Sequence, residues 1–310
     1  MPRPATQSAG GDAADQADAC MAEFLQFSFS GLTVGAIYAL VALGFTLIYN
    51  ASEVVNFAQG EFVMLGGMVT VFAAAAGVPL PLAAVVAVAV AVAVGLLLHR
   101  LAIEPARGAS AVTLIIITIG ASIFLRGVAA VVFDKNFHSL PPLAGSDPWI
   151  IGGAALLPQS VVVLLGTGAI VAGLWFFLTA TLTGKAMLAT AANRLAARLV
   201  GINTSAVIGL SFAMSAAIGG IGGILIAPIT LTNYDVGTVL ALKGFAAAML
   251  GGMGHPLGAV AGGLLLGLLE AFGAGYLSSQ YKDAVAFLVI LVVLFAMPQG
   301  LFGRGVVERV

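Results

Sequence analysis

Between Asn50 and Glu61 the chain reads Asn-Ala-Ser-Glu-Val-Val-Asn-Phe-Ala-Gln-Gly-Glu, a polar interlude between long apolar runs. A loop in water accounts for it. So does a helix broken at membrane depth, where unwound backbone is tolerated only if it faces protein or a polar cavity. In that second reading Asn56 and Gln59 present donors and acceptors to a polar solute. Glu61 then opens a half-helix, where a carboxylate suits the positive end of the dipole. A second candidate is Gly251-Gly252-Met253-Gly254-His255-Pro256, which cannot continue a helix. It reads either as a tight loop or as a second discontinuity lining the same path. His255 is expected to be structural rather than a ligand or proton relay. The two breaks share only a loose echo, a Gly-rich interruption followed by a small-residue helix, and not a strong internal repeat.

Other chemistry is missing. Gly184-Lys185 is followed by Ala186 and lacks the upstream glycine of a phosphate loop. Three histidines and the single Cys20 assemble neither a metal cluster nor a disulfide, and no nucleophile–base set is visible. Three isolated charges interrupt apolar segments: Arg126, Lys243 and Glu270. Each costs about 2.5–3.5 kcal/mol at a helix centre on insertion scales. Arg126, near mid-segment, should find a partner or a cavity. Lys243 and Glu270 are expected to snorkel toward segment ends.

The elements that carry these residues follow from composition. Of 310 residues 61% are hydrophobic and 8% charged, with a net charge of −1; mean hydropathy is +1.12. Too few charges exist to coat a soluble protein of this size, which excludes a cytosolic enzyme, a nucleic-acid binder and a disordered chain. Continuous apolar runs, rather than ten-residue alternation, indicate helices and not a β-barrel. The expected fold is an all-α polytopic membrane protein with about nine transmembrane segments (eight to ten), some short or discontinuous. The segments fall near 24–49, 61–76, 81–98, 111–133, 160–181, 204–227, 238–250, 258–276 and 284–297. Residues 1–23 read as a disordered polar tail, with Met21 a candidate start, and 305–310 as a short cytoplasmic tail. With the N-terminus outside, the inside holds Arg100, Arg107, Lys185, Arg194, Arg198, Arg304 and Arg309, and the outside Arg3, Lys135 and Lys282. That bias predicts an external N-terminus and a cytoplasmic C-terminus.

The Ala-rich stretch from Thr183 to Asn203 predicts a helix lying between spans and stopped by Gly201 at C′. It is either a surface helix touching lipid or a docking helix for a soluble partner. In the docking reading Ala191, Ala196 and Ala197 allow entry into a groove.

The run Gly31 to Tyr49 followed by Val55 to Glu61 resembles the permease subunits of branched-chain amino-acid ABC importers, specifically the H-type partner. The resemblance continues through Glu104-Pro105, Thr183-Gly184, Ala197 to Asn203, Gly251-Gly252-Met253-Gly254 and Pro298 to Gly303, so it covers about residues 24–304. It implies a permease domain over 24–304 in the bacterial inner membrane, with no cofactor and no catalytic residue of its own. The implied partners are a second permease of the M-type, two ATP-binding cassette subunits and a periplasmic solute-binding protein. The implied coupling helix spans about 183–202, with Gly184, Lys185, Ala191, Arg194, Ala197, Arg198 and Gly201 as its contacts. The family's Glu-Ala-Ala-x-x-x-Gly pattern survives here as Leu195-Ala196-Ala197 and Gly201, without the glutamate. Gln59 stands where many relatives carry histidine. The implied path is lined by Asn56, Gln59, Glu61, Gly251, Gly252, Gly254 and His255. The implied cargo is a branched-chain amino acid or a related small polar solute such as urea or a short amide. The alternative is a stand-alone channel or secondary transporter for such a solute.

Overall fold

The computed structural model describes residues 9–106, 108–297 and 299–303. Arg3, Arg107, Arg304, Arg309 and the 305–310 tail lie outside them. Among the described residues eleven α-helices form in chain order: α1 (Ala9–Ser52), α2 (Gln59–Ala75), α3 (Leu80–Leu98), α4 (Ala111–Val132), α5 (Pro158–Ala180), α6 (Leu182–Ala192), α7 (Arg194–Leu199), α8 (Thr204–Ile226), α9 (Val236–Gly251), α10 (Pro256–Tyr276) and α11 (Lys282–Ala296). Strands β1 (Trp149–Ile151) and β2 (Ala154–Leu156) make a small antiparallel hairpin before α5.

Every apolar segment expected from sequence is a helix, and the chain is an all-α polytopic membrane protein apart from that hairpin. The expectation of about nine crossings is not met by length. Among the described residues six helices are long and apolar enough to cross: 18–52 within α1, 80–103, α4, α5, α8 and α10. α2, α9 and α11 have 17, 16 and 15 residues. At 1.5 Å per residue they reach only about 23–26 Å, short of a ~30 Å hydrocarbon core. Residues 9–23, assigned by sequence to a disordered tail, continue α1 as helix.

The two ends of the bundle are easily told apart. At one, α1 meets the hairpin, where the Ala155 amide donates to Gln26 Oε1 at 2.8 Å. There His138 and Thr232 exchange backbone bonds of 2.8 and 2.7 Å. The His138 ring beside exposed Asp134 holds that carboxyl below its usual range. At the other end lie α6 and α7. α1 and α5 run from the hairpin end to the α6 end, and α8 and α10 run back. α1 packs most extensively on α10, its Gly31 and Gly35 lying against the backbone of Gly267, Leu268 and Leu264. Small residues let backbones approach where hydrophobic drive between helices is weak. Phe45, Phe62, Phe212, Leu40 and Leu266 fill the interior.

A broken helix pair at mid-depth

α1 stops at Ser52, and Glu53 takes a left-handed φ of +58°. Backbone then runs without helix to Gln59, where α2 begins. The depth of that start is fixed by its partners. Gln59 Nε2 donates to the Ser215 carbonyl at 3.3 Å, and Ser215 Oγ donates to Gln59 Oε1 at 2.5 Å. Ser215 is the middle residue of α8. Ser122, central in α4, donates from Oγ to Glu61 Oε1 at 2.7 Å. Of the two readings of this stretch the structure shows the helix broken within the bundle, and Asn56, Gln59 and Glu61 are all fully buried there.

The second break lies elsewhere. Gly251, Gly252, Gly254 and His255 form the turn between α9 and α10 at the α6 end, where Asn50 Nδ2 donates to the Gly254 carbonyl at 2.9 Å. Gly252 and Gly254 have φ of +99° and +96°, and His255 Nδ1 caps α10 by accepting from the Gly258 amide at 3.0 Å. These residues do not join Asn56, Gln59 and Glu61. Gly254 and His255 border a cavity of about 520 Å³ shared with Tyr49, Met187 and Ala191.

The partner of the first break is the 227–235 segment. Below the hairpin end it descends past Thr232, which faces Gly67 of α2, and α9 starts at Val236. The two half-helix starts then touch. A Cβ on Gly60 would meet the Gly237 carbonyl oxygen at 1.9 Å, and one on Gly237 would meet the Gly60 oxygen at 2.7 Å. The contact is reciprocal, as across a two-fold axis. The backbone bonding is also the same on both sides. Asn56 Oδ1 accepts from the Ala58 amide (3.2 Å) and Asn233 Oδ1 from the Asp235 amide (3.3 Å). The carbonyl of Asn56 accepts from Gln59 N (3.1 Å) and that of Asn233 from Val236 N (3.4 Å).

This match uncovers a repeat that sequence reasoning missed. Asn56, Phe57, Gly60, Gly67, Gly77, Pro79 and Leu80 recur as Asn233, Tyr234, Gly237, Gly244, Gly254, Pro256 and Leu257, always 177 positions on. Gly77 and Gly254 even share left-handed φ values of +86° and +96°. α1-α2-α3 and α8-α9-α10 are thus one helix, break, half-helix, helix unit used twice with opposite direction across the bundle. Asp235, Gly237, Ser122, Thr118 and Ser215 belong to the site and were not singled out from sequence. The 177-residue register was the signal that could have found Asp235 and Gly237.

α4 is tied to this centre by a polar ladder at helical spacing. Thr118 Oγ1 accepts from the Phe57 amide at 3.2 Å, Ser122 reaches Glu61, and Arg126 donates from Nη1 to Asp235 Oδ1 at 2.8 Å. Arg126 Nε lies 3.7 Å from Glu61 Oε1. Arg126 thus has the partner its position demanded. Lys243 and Glu270 do not snorkel. They pair with each other at 2.9 Å inside the bundle. Lys243 also meets Asp283 (2.6 Å), Lys282 meets Glu270 (3.0 Å), and Tyr38 donates to Glu270 Oε2 (2.9 Å). Among the described residues no group of three His, Cys, Asp or Glu is placed to hold a metal ion.

The 183–202 segment is not one helix. Asn193 is extended (φ −159°, ψ 104°) and its Oδ1 accepts from the Ala196 amide at 2.9 Å, ending α6 and capping α7. Gly201, at φ +89°, follows Val200 as the expected C′ residue. Gly184 is wedged against the Phe177 carbonyl, and Lys185, Ala191 and Arg198 are exposed. Arg194 is half-buried, while Ala197 is 2% exposed and is already used in the chain's own packing, so it has no surface to offer a groove.

Residues 27–294 match the family described as branched-chain amino acid transport system / permease component. The chain belongs to this family of transport permeases. The permease is 36% identical over 302 residues to LivH, the high-affinity branched-chain amino acid transport system permease protein of Escherichia coli K12, covering 93% of this chain and 98% of LivH. It is 34% identical, with the same coverage, to BraD of Pseudomonas aeruginosa. A probable LivH of Methanocaldococcus jannaschii is 28% identical over 86% of this chain and 89% of its own. Gln59 is the permease's central stitch between α2 and α8. Gln59→Leu is expected to lower stability by about 1–3 kcal/mol by stripping partners from buried polar groups, read as a drop in the thermal midpoint of the purified protein in detergent. An unchanged midpoint would show that the stitch contributes nothing.

Proposed function

We propose that this permease translocates branched-chain amino acids, or closely related small polar solutes, across the bacterial inner membrane as one half of an ABC importer. The near-full-length similarity to LivH carries this reading. Its partners are an M-type second permease, two ATP-binding cassette subunits that hydrolyse ATP, and a periplasmic binding protein that delivers solute. The α6–α7 pair is the lever on which the ATPases push. Arg100, Lys185, Arg194 and Arg198 lie at that end of the bundle and Lys135 at the other, which supports a cytoplasmic α6 end and an external N-terminus. The path runs along the broken helices, past Asn56, Gln59 and Glu61, and leaves beside Gly254 and His255. Uptake of leucine by a host lacking its own system, requiring this chain and all its partners together, tests the reading. Uptake by this chain alone in proteoliposomes would replace it with a stand-alone carrier.

The lever has its own test. Leu195 and Leu199 are 69% and 81% exposed on one face of α7, one helical turn apart. Leu195→Glu with Leu199→Glu is expected to cut ATPase co-purification about tenfold or more, as loss of central apolar anchors does, with the permease still in the membrane. Unchanged co-purification refutes the docking role.

A further inference from the structure

Two half-helix starts meet at the centre of the bundle, and each brings one carboxylate, from different registers of the repeat. Position 61 is Glu in the first copy and Thr238 in the second; position 235 is Asp in the second and Ala58 in the first. A cation, Arg126, reaches them from α4. Two carboxylates and one guanidinium thus meet here, and one carboxylate oxygen among them is unsatisfied. Glu61 is fully buried, yet its Oε2 has no hydrogen-bond partner and points at the Gly237 start of α9. Asn56 Nδ2, in the break that precedes α2, is also buried and unpartnered. Such orphaned groups cost free energy unless another species completes them.

Access is open from one side. Asp235 is 51% and Arg126 27% exposed by side chain. Ionic groups exposed at this depth are too costly to face lipid and mark a wet or protein-lined passage. α4 meets the rest of the bundle along this polar ladder and through Leu114, Ile117, Ala121, Leu125 and Ala129.

We infer that this cluster is a mid-depth site for the zwitterionic backbone of an α-amino acid, with Arg126 taking the carboxylate and Asp235 and Glu61 Oε2 taking the ammonium. The inference rests on the permease reading above and names the residues that would touch its cargo. Binding exchanges ion pairs without creating or destroying charge. The solute carboxylate replaces Asp235 at Arg126, which suits a planar guanidinium, and the released Asp235 joins Glu61 around the ammonium. The ammonium gives the unpartnered Glu61 Oε2 a donor, and the added carboxylate takes the partner that Asp235 gives up. Ile119 and Ile123, exposed on α4 beside the ladder, give a branched aliphatic side chain an apolar wall. The Arg126 rung is thereby exchanged during transport, while Ser122 and Thr118 stay in place.

The test uses the assembled permease–ATPase complex without its binding protein, and [³H]leucine as the probe. The wild type is expected to bind leucine and to be competed by unlabelled leucine, but not by isovalerate, which lacks the ammonium, nor by isoamylamine, which lacks the carboxylate. Arg126→Gln is expected to weaken leucine binding about tenfold to a hundredfold, the range for charged hydrogen bonds. Asp235→Asn, at an exposed position that folding tolerates, is expected to weaken it about tenfold. The decisive variant is the exchange Arg126→Asp with Asp235→Arg. It keeps the ion pair and is expected to restore the thermal midpoint without restoring leucine binding. Restored binding in the exchanged protein would make the pair a structural strut and overturn the site. Wild-type affinity in Asp235→Asn, competition by isoamylamine, or no leucine binding by a complex that transports leucine when its binding protein is added would each overturn it too. If the complete wild-type system moves no branched-chain amino acid, the permease reading itself falls, and that result is distinct from all of these.

Discussion

Lys243→Met is expected to destabilise the protein by about 3–5 kcal/mol, the range for removing one partner of a buried ion pair. Lys243 is 5% exposed and Glu270 1%. The ammonium touches Glu270 on α10 and Asp283 on α11 and lies 5.5 Å from the centre of the Tyr38 ring on α1. One side chain thus joins four helices. Its removal leaves Lys282 as the remaining cation near Glu270. Lys243→Met with Glu270→Gln is expected to recover much of the loss, because the variant keeps Lys282 and Asp283 as an oppositely charged pair and buries no bare carboxylate. Thermal midpoints in detergent for the two variants decide the matter. Equal losses would mean that the methionine fails through packing and not through charge.

Gly60→Ala is expected to be nearly as damaging. The added methyl would sit 1.9 Å from the Gly237 oxygen and 2.8 Å from the Ala241 methyl, both on α9. The first of these is backbone and cannot rotate away, so the half-helices must separate. Overpacking of this kind costs about 1–3 kcal/mol or more. Gly120→Ala on α4, where the methyl meets nothing within 4 Å, is the control and should be neutral or slightly stabilising. A Gly60→Ala protein with the wild-type midpoint would mean that the reciprocal Gly60–Gly237 contact is not part of the working fold.

Much of this was legible in one dimension. The apolar run lengths gave all nine long or short apolar helices, and the polar interlude at 50–61 announced a helix that could not continue. Gly201 was recognisable as a stop because a left-handed residue ends helices. Of the two readings of Gly251 to Pro256 the structure shows the tight loop, which turns the chain at an end of the bundle, while the second discontinuity lies at Asn233-Tyr234-Asp235, a stretch with no glycine or proline to announce it. Asp235 sits in a segment with no composition signal, and its significance appears only when Gly237 is found against Gly60. Lys243 and Glu270 were read one at a time, as if each had to solve its own burial by reaching outward.

Composition, periodicity and motif therefore determined the membrane environment, the helices and the family, since each depends on residues near one another in the chain or on their totals. Which buried charges neutralise which, and where the half-helices end, depended on contacts such as Glu61–Arg126, 65 positions apart, and Arg126–Asp235, 109 apart. In a medium that offers no water to solvate a stray charge, such distant partners decide what each polar residue does, and only the folded chain brings them within reach.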